Sequence, residues 1–337
     1  TANRVLLAAI AVLLAYTLTW IVFVMIRYRR REWLFRLCDP ASHPGGSLLQ
    51  ALHQAALARL GGSGRRESHP AREIEPAGQQ YQVIRLLSRG DLTDVHYARV
   101  ADRPRVLKVG RDDRSFEMLA KEQRILRRLR RRDAANSYGD YFPEPVELSR
   151  FAGRPASTFR WRDGFVGAIE IGHRCPDGLE GRHISWMFNR ILEALGWVHD
   201  NGWLHGAVLP PHLLFHPDTH GLQLIGWIHA QPIGSPLHLV SRKYKAWYPP
   251  ECHRRSPATP ATDIYLAAKS MVWLAGGNPI ACQPPRELPD SMVRLLGRCL
   301  ATRQTDRPAD AWALHEQFRE LLEDSYGPAK FCHLQLS

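Results

Sequence analysis

No CxxC pair and no HExxH occur anywhere in the 337 residues. The six cysteines (Cys38, Cys175, Cys252, Cys282, Cys299 and Cys332) stand far apart. That spacing excludes a zinc ribbon and argues against a disulfide framework in so long a chain, so they read as reduced thiols. Of the sixteen histidines only His212 and His216 catch the eye, four apart in a stretch where no helix is expected, and no metal site is inferred. The 25 glycines and 24 prolines show no period, which excludes a collagen-like or low-complexity chain. Acidic residues are scarce: 33 Asp and Glu against 45 Lys and Arg leave a net charge of +12. Such a surface favours anionic partners, namely lipid head groups, nucleic acid or phosphates. With 45% hydrophobic and 23% charged residues, wholesale disorder is excluded.

Charge is also missing from residues 5–26, a run of 22. A helix of that length covers roughly 33 Å, enough for the hydrocarbon core of a bilayer. No small-residue cleavage site follows it. Arg27, Arg29, Arg30 and Arg31 do follow, with only Arg4 on the other side. The positive-inside rule then predicts a single-pass membrane protein with its N-terminus outside and the remainder cytoplasmic. Trp20, Tyr28 and Trp33 are placed as interfacial anchors. A chain beginning at Thr1 suits removal of an initiator Met. Residues 1–30 are thus span and basic flank, 31–60 juxtamembrane amphipathic helices, and 61–79 a flexible linker rich in Gly, Pro and charge. A domain at 80–325 and a tail at 326–337 complete the division.

Within the domain, residues 81–87 and 95–100 read as strands around a turn at 88–94, and VLKV at 106–109 as a third. Residues 115–132 predict a long helix, 165–171 (FVGAIEI) a strand, 184–201 an apolar helix and 222–225 a short strand. Helices dominate 261–324. This order, a small β-rich lobe with one helix followed by a helical lobe, carries a series of short strings. They are VLKV with Lys108, AKEQRILRRL at 120–129 with Glu122, AIEI at 168–171, LGWVHDNGWLHGAVLPPHLLF at 195–215, YPPE at 248–251, DIYLAAKSM at 263–271 and CLATRQTDRP at 299–308. Over about 245 residues the chain resembles the eukaryotic-type (Ser/Thr) protein kinase family as found in bacteria.

The resemblance implies an α+β, bilobal fold preceded by the single span. It makes Lys108 the ATP-contacting lysine and Glu122 its ion-pair partner. Ile169 takes the gatekeeper position, with Glu170 beside it in the hinge, and Gly90 is the surviving glycine of the phosphate loop. His205, Glu251, Asp263 and Arg307 are structural landmarks, with Arg307 paired to Glu251 and Asp263 bracing the catalytic loop. The residues that do the chemistry are missing. Phosphoryl transfer needs a hydroxyl oriented and metal ions held. The catalytic Asp position holds Ala207, whose methyl group accepts no proton. The Asn position holds His212, a poor ligand for oxygen-seeking Mg²⁺, and the metal-binding Asp position holds Gly226. Asp91 and Asp94 bring negative charge near the place of a triphosphate.

The scaffold is kept and the chemistry removed. The reading is a membrane-anchored pseudokinase, a binding scaffold or regulator in signalling, with no catalytic residue and no metal. A divergent ATP-using kinase and a non-catalytic ATP sensor acting through Lys108 and Glu122 are the alternatives. ATP is the only cofactor entertained and Mg²⁺ is not expected. The expected partners are other proteins at the membrane and anionic lipid head groups, met by Arg27, Arg29, Arg30 and Arg31. Nucleic acid is not expected, because no binding module is recognised. Arg124, Arg127, Arg128, Arg130, Arg131 and Arg132 crowd one helix end and suit lipid, an acidic partner or the helix dipole. The aromatics of 244–250, Trp247 among them, read as a packed segment or a partner site.

Overall fold

The computed structural model describes residues 73–74, 81–100, 102–133 and 137–336. The expected span at 5–26, its basic flank and the amphipathic segments of 31–60 lie outside these residues. Among the described ones no helix is long and apolar enough to cross a membrane.

The small lobe is a six-stranded antiparallel sheet in the order β1-β2-β3-β4-β6-β5. Its strands are β1 (Glu73–Ile74), β2 (Tyr81–Arg89), β3 (Thr93–Val100), β4 (Arg103–Gly110), β5 (Pro145–Phe151) and β6 (Arg154–Arg160). The short β1 falls inside the stretch expected to be flexible linker, where Ile74 pairs with Tyr81 at the sheet edge. Tyr81, Ala98, Leu107, Val109, Phe151 and Ala156 form the lobe's small core. Helix α1 (Ser115–Arg132) lies against β5 and β6, as its periodicity predicted. Leu119, Glu122, Ile125, Leu126 and Leu129 are buried at three- and four-residue intervals along one face. Just before the helix the Asp112 carboxylate accepts the Ser115 N–H at 3.1 Å and its hydroxyl at 3.0 Å. The Asp133 carboxylate stops it by accepting the N–H groups of Ser137, Tyr138 and Gly139 at 2.6–2.9 Å.

The hairpin of β5 and β6 has no counterpart in the sequence reading. Sequence periodicity failed there because β6 is RPASTFR, whose five inner residues are all buried although two are Ser157 and Thr158. Their polar groups are satisfied locally: Gln123 of α1 donates to Ser157 Oγ at 2.6 Å and to the Thr158 carbonyl at 3.3 Å. The strand expected at 165–171 is a correction in the other direction. Only Val166–Gly167 (β7) pairs, with Phe215 and Leu214, and Ala168–Arg174 is helix α2. A short apolar run does not declare its own period. Here Ala168 and Ile171 share the buried face, while Gly172 lies so close to the Trp273 ring that a side chain there would collide with it.

The large lobe is built on α3 (Gly181–Asp200) and α5 (Pro260–Leu274), joined by the short α4 (Pro250–His253), α6 (Asp290–Cys299) and α7 (Ala311–Tyr326). Helix α5 is buried almost all round and is started by a Thr259–Thr262 capping box with Pro260 as its first residue. Between α3 and α4 run β8 (Trp203–Leu204), β9 (Leu213–His216), β10 (Gly221–Leu224) and β11 (Gln231–Pro232). Residues 327–336 fold back as an extended tail. Its Cys332 carbonyl accepts from His220 at 2.7 Å, and Leu334 is buried.

The landmark pairs expected in this lobe are formed. Arg307 meets both Glu251 oxygens at 2.7 and 3.1 Å, with both side chains buried. Removing one partner of such a pair strands the other charge. Glu251→Ala should therefore destabilise the protein by about 3–5 kcal/mol in urea unfolding of the full chain.

Candidate functional site

Lys108 extends from β4, and Glu122 comes from the buried face of α1. Their contact is bidentate, Nζ to the two carboxylate oxygens at 2.7 and 2.9 Å, and nearly closed to solvent. The Lys108 ammonium also lies 5.5 Å from the centre of the Phe159 ring. Phe159 is the penultimate residue of β6, the strand beside β4. Ile169 and Glu170, expected in the hinge, occupy the first turn of α2, and Glu170 pairs with Arg174 at 2.5 Å on the surface.

The turn between β2 and β3 keeps one glycine for a local reason. The Gly90 N–H donates to the Thr93 carbonyl at 2.9 Å, and a Cβ on Gly90 would sit 2.9 Å from that same oxygen. The two acidic residues there have partners. Asp94 pairs with Arg111 at 3.0 Å, and Asp91 accepts the Arg242 N–H at 3.0 Å. The second contact ties the small-lobe turn to the segment that leads to Glu251.

Asp263 of α5 is wholly buried and holds the catalytic loop by its backbone. It accepts the N–H of His205 and of Gly206, each at 2.8 Å, and a ring N–H of His199 at 3.1 Å. His205 in turn donates from Nε2 to the Ile225 carbonyl at 2.9 Å. Ser270 of α5 donates to the Val208 carbonyl at 2.9 Å. The loop is thus braced in every respect except that Ala207 presents a methyl group.

The three replaced positions, Ala207, His212 and Gly226, come together as one packed unit. The His212 ring donates from Nδ1 to the Ala207 carbonyl at 2.8 Å. Its other edge lies over Gly226, where a Cβ would be only 2.6–2.8 Å from three ring atoms. Gly226 also has a φ of 90°, a conformation that side chains resist. The ring therefore fills the space in which a carboxylate at position 226 would have to stand. Trp227, next in the chain, turns into the core, packing edge-on against His205 and Phe142 with its indole N–H on the Leu224 carbonyl at 2.7 Å. His229 stands 5.4 Å from His212, ring centre to ring centre. Burial pushes all three histidines down, His205 and His212 to about 3 and His229 to about 4, so they are neutral at pH 7. Among the described residues no group of three or more His, Cys, Asp or Glu is arranged to hold a metal ion.

Tyr244, Trp247 and Tyr248 are buried, so the aromatics of 244–250 are packing, not a surface patch. Three of the six clustered arginines have structural partners. Arg127 and Arg130 donate to backbone carbonyls and Arg132 donates to Asn201.

No family model matches the chain. In sequence it is similar to the serine/threonine-protein kinase PknF of Mycobacterium tuberculosis and of Mycobacterium bovis. Identity is 26% over 212 residues, which cover 59% of this chain and 43% of the relative. The chain thus spans less than half the length of these curated relatives. In structure it is similar to the kinase domain of M. tuberculosis PknI, solved as a double and as a single mutant. TM-scores are 0.53 and 0.52 at 23% identity, covering 74% of this chain and 98% of that domain. The fold is that of the eukaryotic-type protein kinases.

Two outcomes follow from the packed unit. Gly226→Asp alone should not restore a metal site but overpack it, at about 1–3 kcal/mol, and adding His212→Asn should recover part of that loss in a double-mutant cycle by urea unfolding. The second concerns acid. Below the ordinary histidine value of 6.5 the unfolded chain takes up protons that the folded His205, His212 and His229 refuse. Stability is then complete above about pH 6.5 and falls towards pH 4, by up to about 1.4 kcal/mol per pH unit for each ring. His212→Asn should remove one ring's share of that slope when unfolding is measured from pH 7 to 4.

Proposed function

We propose that this chain, a eukaryotic-type protein kinase by fold, is a membrane-tethered pseudokinase that works by binding other proteins as a scaffold or regulator in signalling. The observation that carries this reading is the His212 ring seated over Gly226 and bonded to Ala207. A phosphoryl-transfer site needs an acceptor carboxylate and oxygen ligands for Mg²⁺. Here one neutral imidazole occupies the place of the second and is bonded to the residue that replaces the first. The tether is supported by the 22 uncharged residues at 5–26 and the four arginines after them. Those arginines suit anionic lipid, at about 1 kcal/mol each near the surface.

A second reading has an observation of its own. The intact Lys108–Glu122 pair is the part of the nucleotide apparatus that needs no metal, and it favours ATP binding without turnover. Thermal unfolding of the full chain, with and without ATP and each with and without Mg²⁺, separates these readings. Ligand at 100 times its dissociation constant would stabilise by about 2.7 kcal/mol. The scaffold reading expects no shift under any condition. A shift independent of Mg²⁺ and abolished by Lys108→Ala would make the protein an ATP sensor. A shift that requires Mg²⁺ would overturn both and restore the enzyme.

A further inference from the structure

Helix α5 carries a lysine in its interior. Lys269 is 2% exposed, and no carboxylate pairs with it among the described residues. Lysines are almost never so buried without a partner. The buried carboxylates of this lobe are committed elsewhere, Glu251 to Arg307 and Asp263 to the catalytic loop. Lys269 Nζ donates to the Ala246 carbonyl at 3.3 Å and lies 5.1 Å from the centre of the Tyr265 ring, one turn back on the same face of α5. Its remaining neighbour is the sulfur of Cys282, within hydrogen-bonding reach. Burial pushes the ammonium below the ordinary lysine value, and the sulfur opposes that shift.

Cys282 is brought to this place by the turn that follows α5. The Asn278 side-chain oxygen accepts the N–H groups of Ile280 and Ala281, each at 3.0 Å, and Asn278 and Gln283 exchange backbone bonds at 2.9 and 3.0 Å. The turn holds Cys282 at a φ of 55°, a left-handed conformation that side chains resist. Its sulfur faces α5, where the Tyr265 hydroxyl lies 3.5 Å away. Cys252 and Cys299 are buried, and burial pushes both thiols up to about 12, which leaves them inert. Cys282 is only part-buried, so a small oxidant can reach it.

We propose that Lys269 and Cys282 form an oxidative cross-link site, at which peroxide joins the two side chains through a sulfur–nitrogen bond. Hydrogen peroxide first converts the thiol to a sulfenic acid. An S–O bond forms and the O–O bond breaks. Sulfur gives two electrons to the peroxide, and water leaves. The uncharged Lys269 amine then attacks the sulfur with its lone pair. The S–O bond breaks, the hydroxyl departs with an amine proton as a second water, and a sulfenamide remains. Sulfenic acids make the same bond with a backbone nitrogen held against them. The burial that lowers the Lys269 ammonium favours the attacking form. The link ties α5 to the following turn and acts on the amine that holds Ala246, in the segment leading to Glu251. It uses none of the residues on which the pseudokinase reading rests.

The test is peroxide treatment of the solubilised full chain, followed by tryptic digestion without reductant and mass spectrometry. A linked pair of peptides containing Lys269 and Cys282 should appear, lighter by two hydrogens than the two together. Trypsin should fail to cut after Lys269, and dithiothreitol should dissolve the pair and restore the cut. Lys269→Met should abolish the link and leave Cys282 as a sulfenic acid that dimedone traps. Should that variant fail to fold, the wild-type digest and its loss of the pair in Cys282→Ser suffice. No linked pair at any peroxide concentration, or Cys282 trapped by dimedone as fully in the wild type as in Lys269→Met, would overturn the inference.

Discussion

A carboxylate with no exposure to solvent, that of Asp263, has to be met by donors that the fold delivers to it, because an unsatisfied buried charge is prohibitively costly. Three donors arrive, from His199 at the end of α3 and from the backbone of His205 and Gly206. The consequence is that the catalytic loop is held by its main chain. Side chains at 207 and 212 can change without releasing it. The second buried charge works alike: Glu251 accepts from Arg307 and from Thr262 of the same helix α5. Helix α5, which carries Asp263 and the Thr262 that meets Glu251 of α4, is therefore the element on which the large lobe is assembled.

Against that fixed frame the residues at 207, 212 and 226 are not independent of one another. His212 needs a hydrogen-bond acceptor and room for a ring. The Ala207 carbonyl is the acceptor, and the missing side chain of Gly226 is the room. A carboxylate put back at 226 would meet the ring, so reversal requires more than one change at a time. Buried neutral imidazoles also remove the need for a metal ion to offset clustered carboxylates. Lys108 is then left with one charged partner, Glu122, and the pair is self-sufficient. Its retention is explained by the cost of leaving either member alone in a buried place, whatever else the pair does.

How much of this was legible in the sequence depended on how each feature is encoded. Helix α1 was readable to its ends, because its apolar stripe and terminal arginines are local. The pairs Lys108–Glu122 and Arg307–Glu251, and the bracing role of Asp263, followed from a resemblance spread over many short strings. The hairpin of β5 and β6 was not readable. Its buried Ser157 and Thr158 look polar in sequence and become interior only because Gln123, far along the chain, supplies their bonds. The helix at Ala168–Arg174 was hidden for another reason, since a short apolar run does not declare its own period. That Ala207, His212 and Gly226 depart from the pattern of the resembled family could be read residue by residue. That the three substitutes fit one another is a property of space, and no spacing in the chain announces it.

Helix α1 and the β2–β3 turn are tied to the large lobe by direct bonds. Helix α1 is held to the large lobe by Lys121, whose ammonium donates to the Ala230 carbonyl at 2.8 Å and whose pKa is lowered by burial. The β2–β3 turn is held to the segment before Glu251 by Asp91 and the Arg242 N–H, and α1 is held to the sheet by Glu122. Each bond alone is modest, on the order of 1 kcal/mol for an uncharged pair and somewhat more where one partner is charged. Together they join the small lobe to the large one at two separate places. An enzyme that must admit nucleotide and release product gains from a turn and a helix that open. A surface offered to a partner gains from the reverse, because order already present in the free protein is not charged against binding.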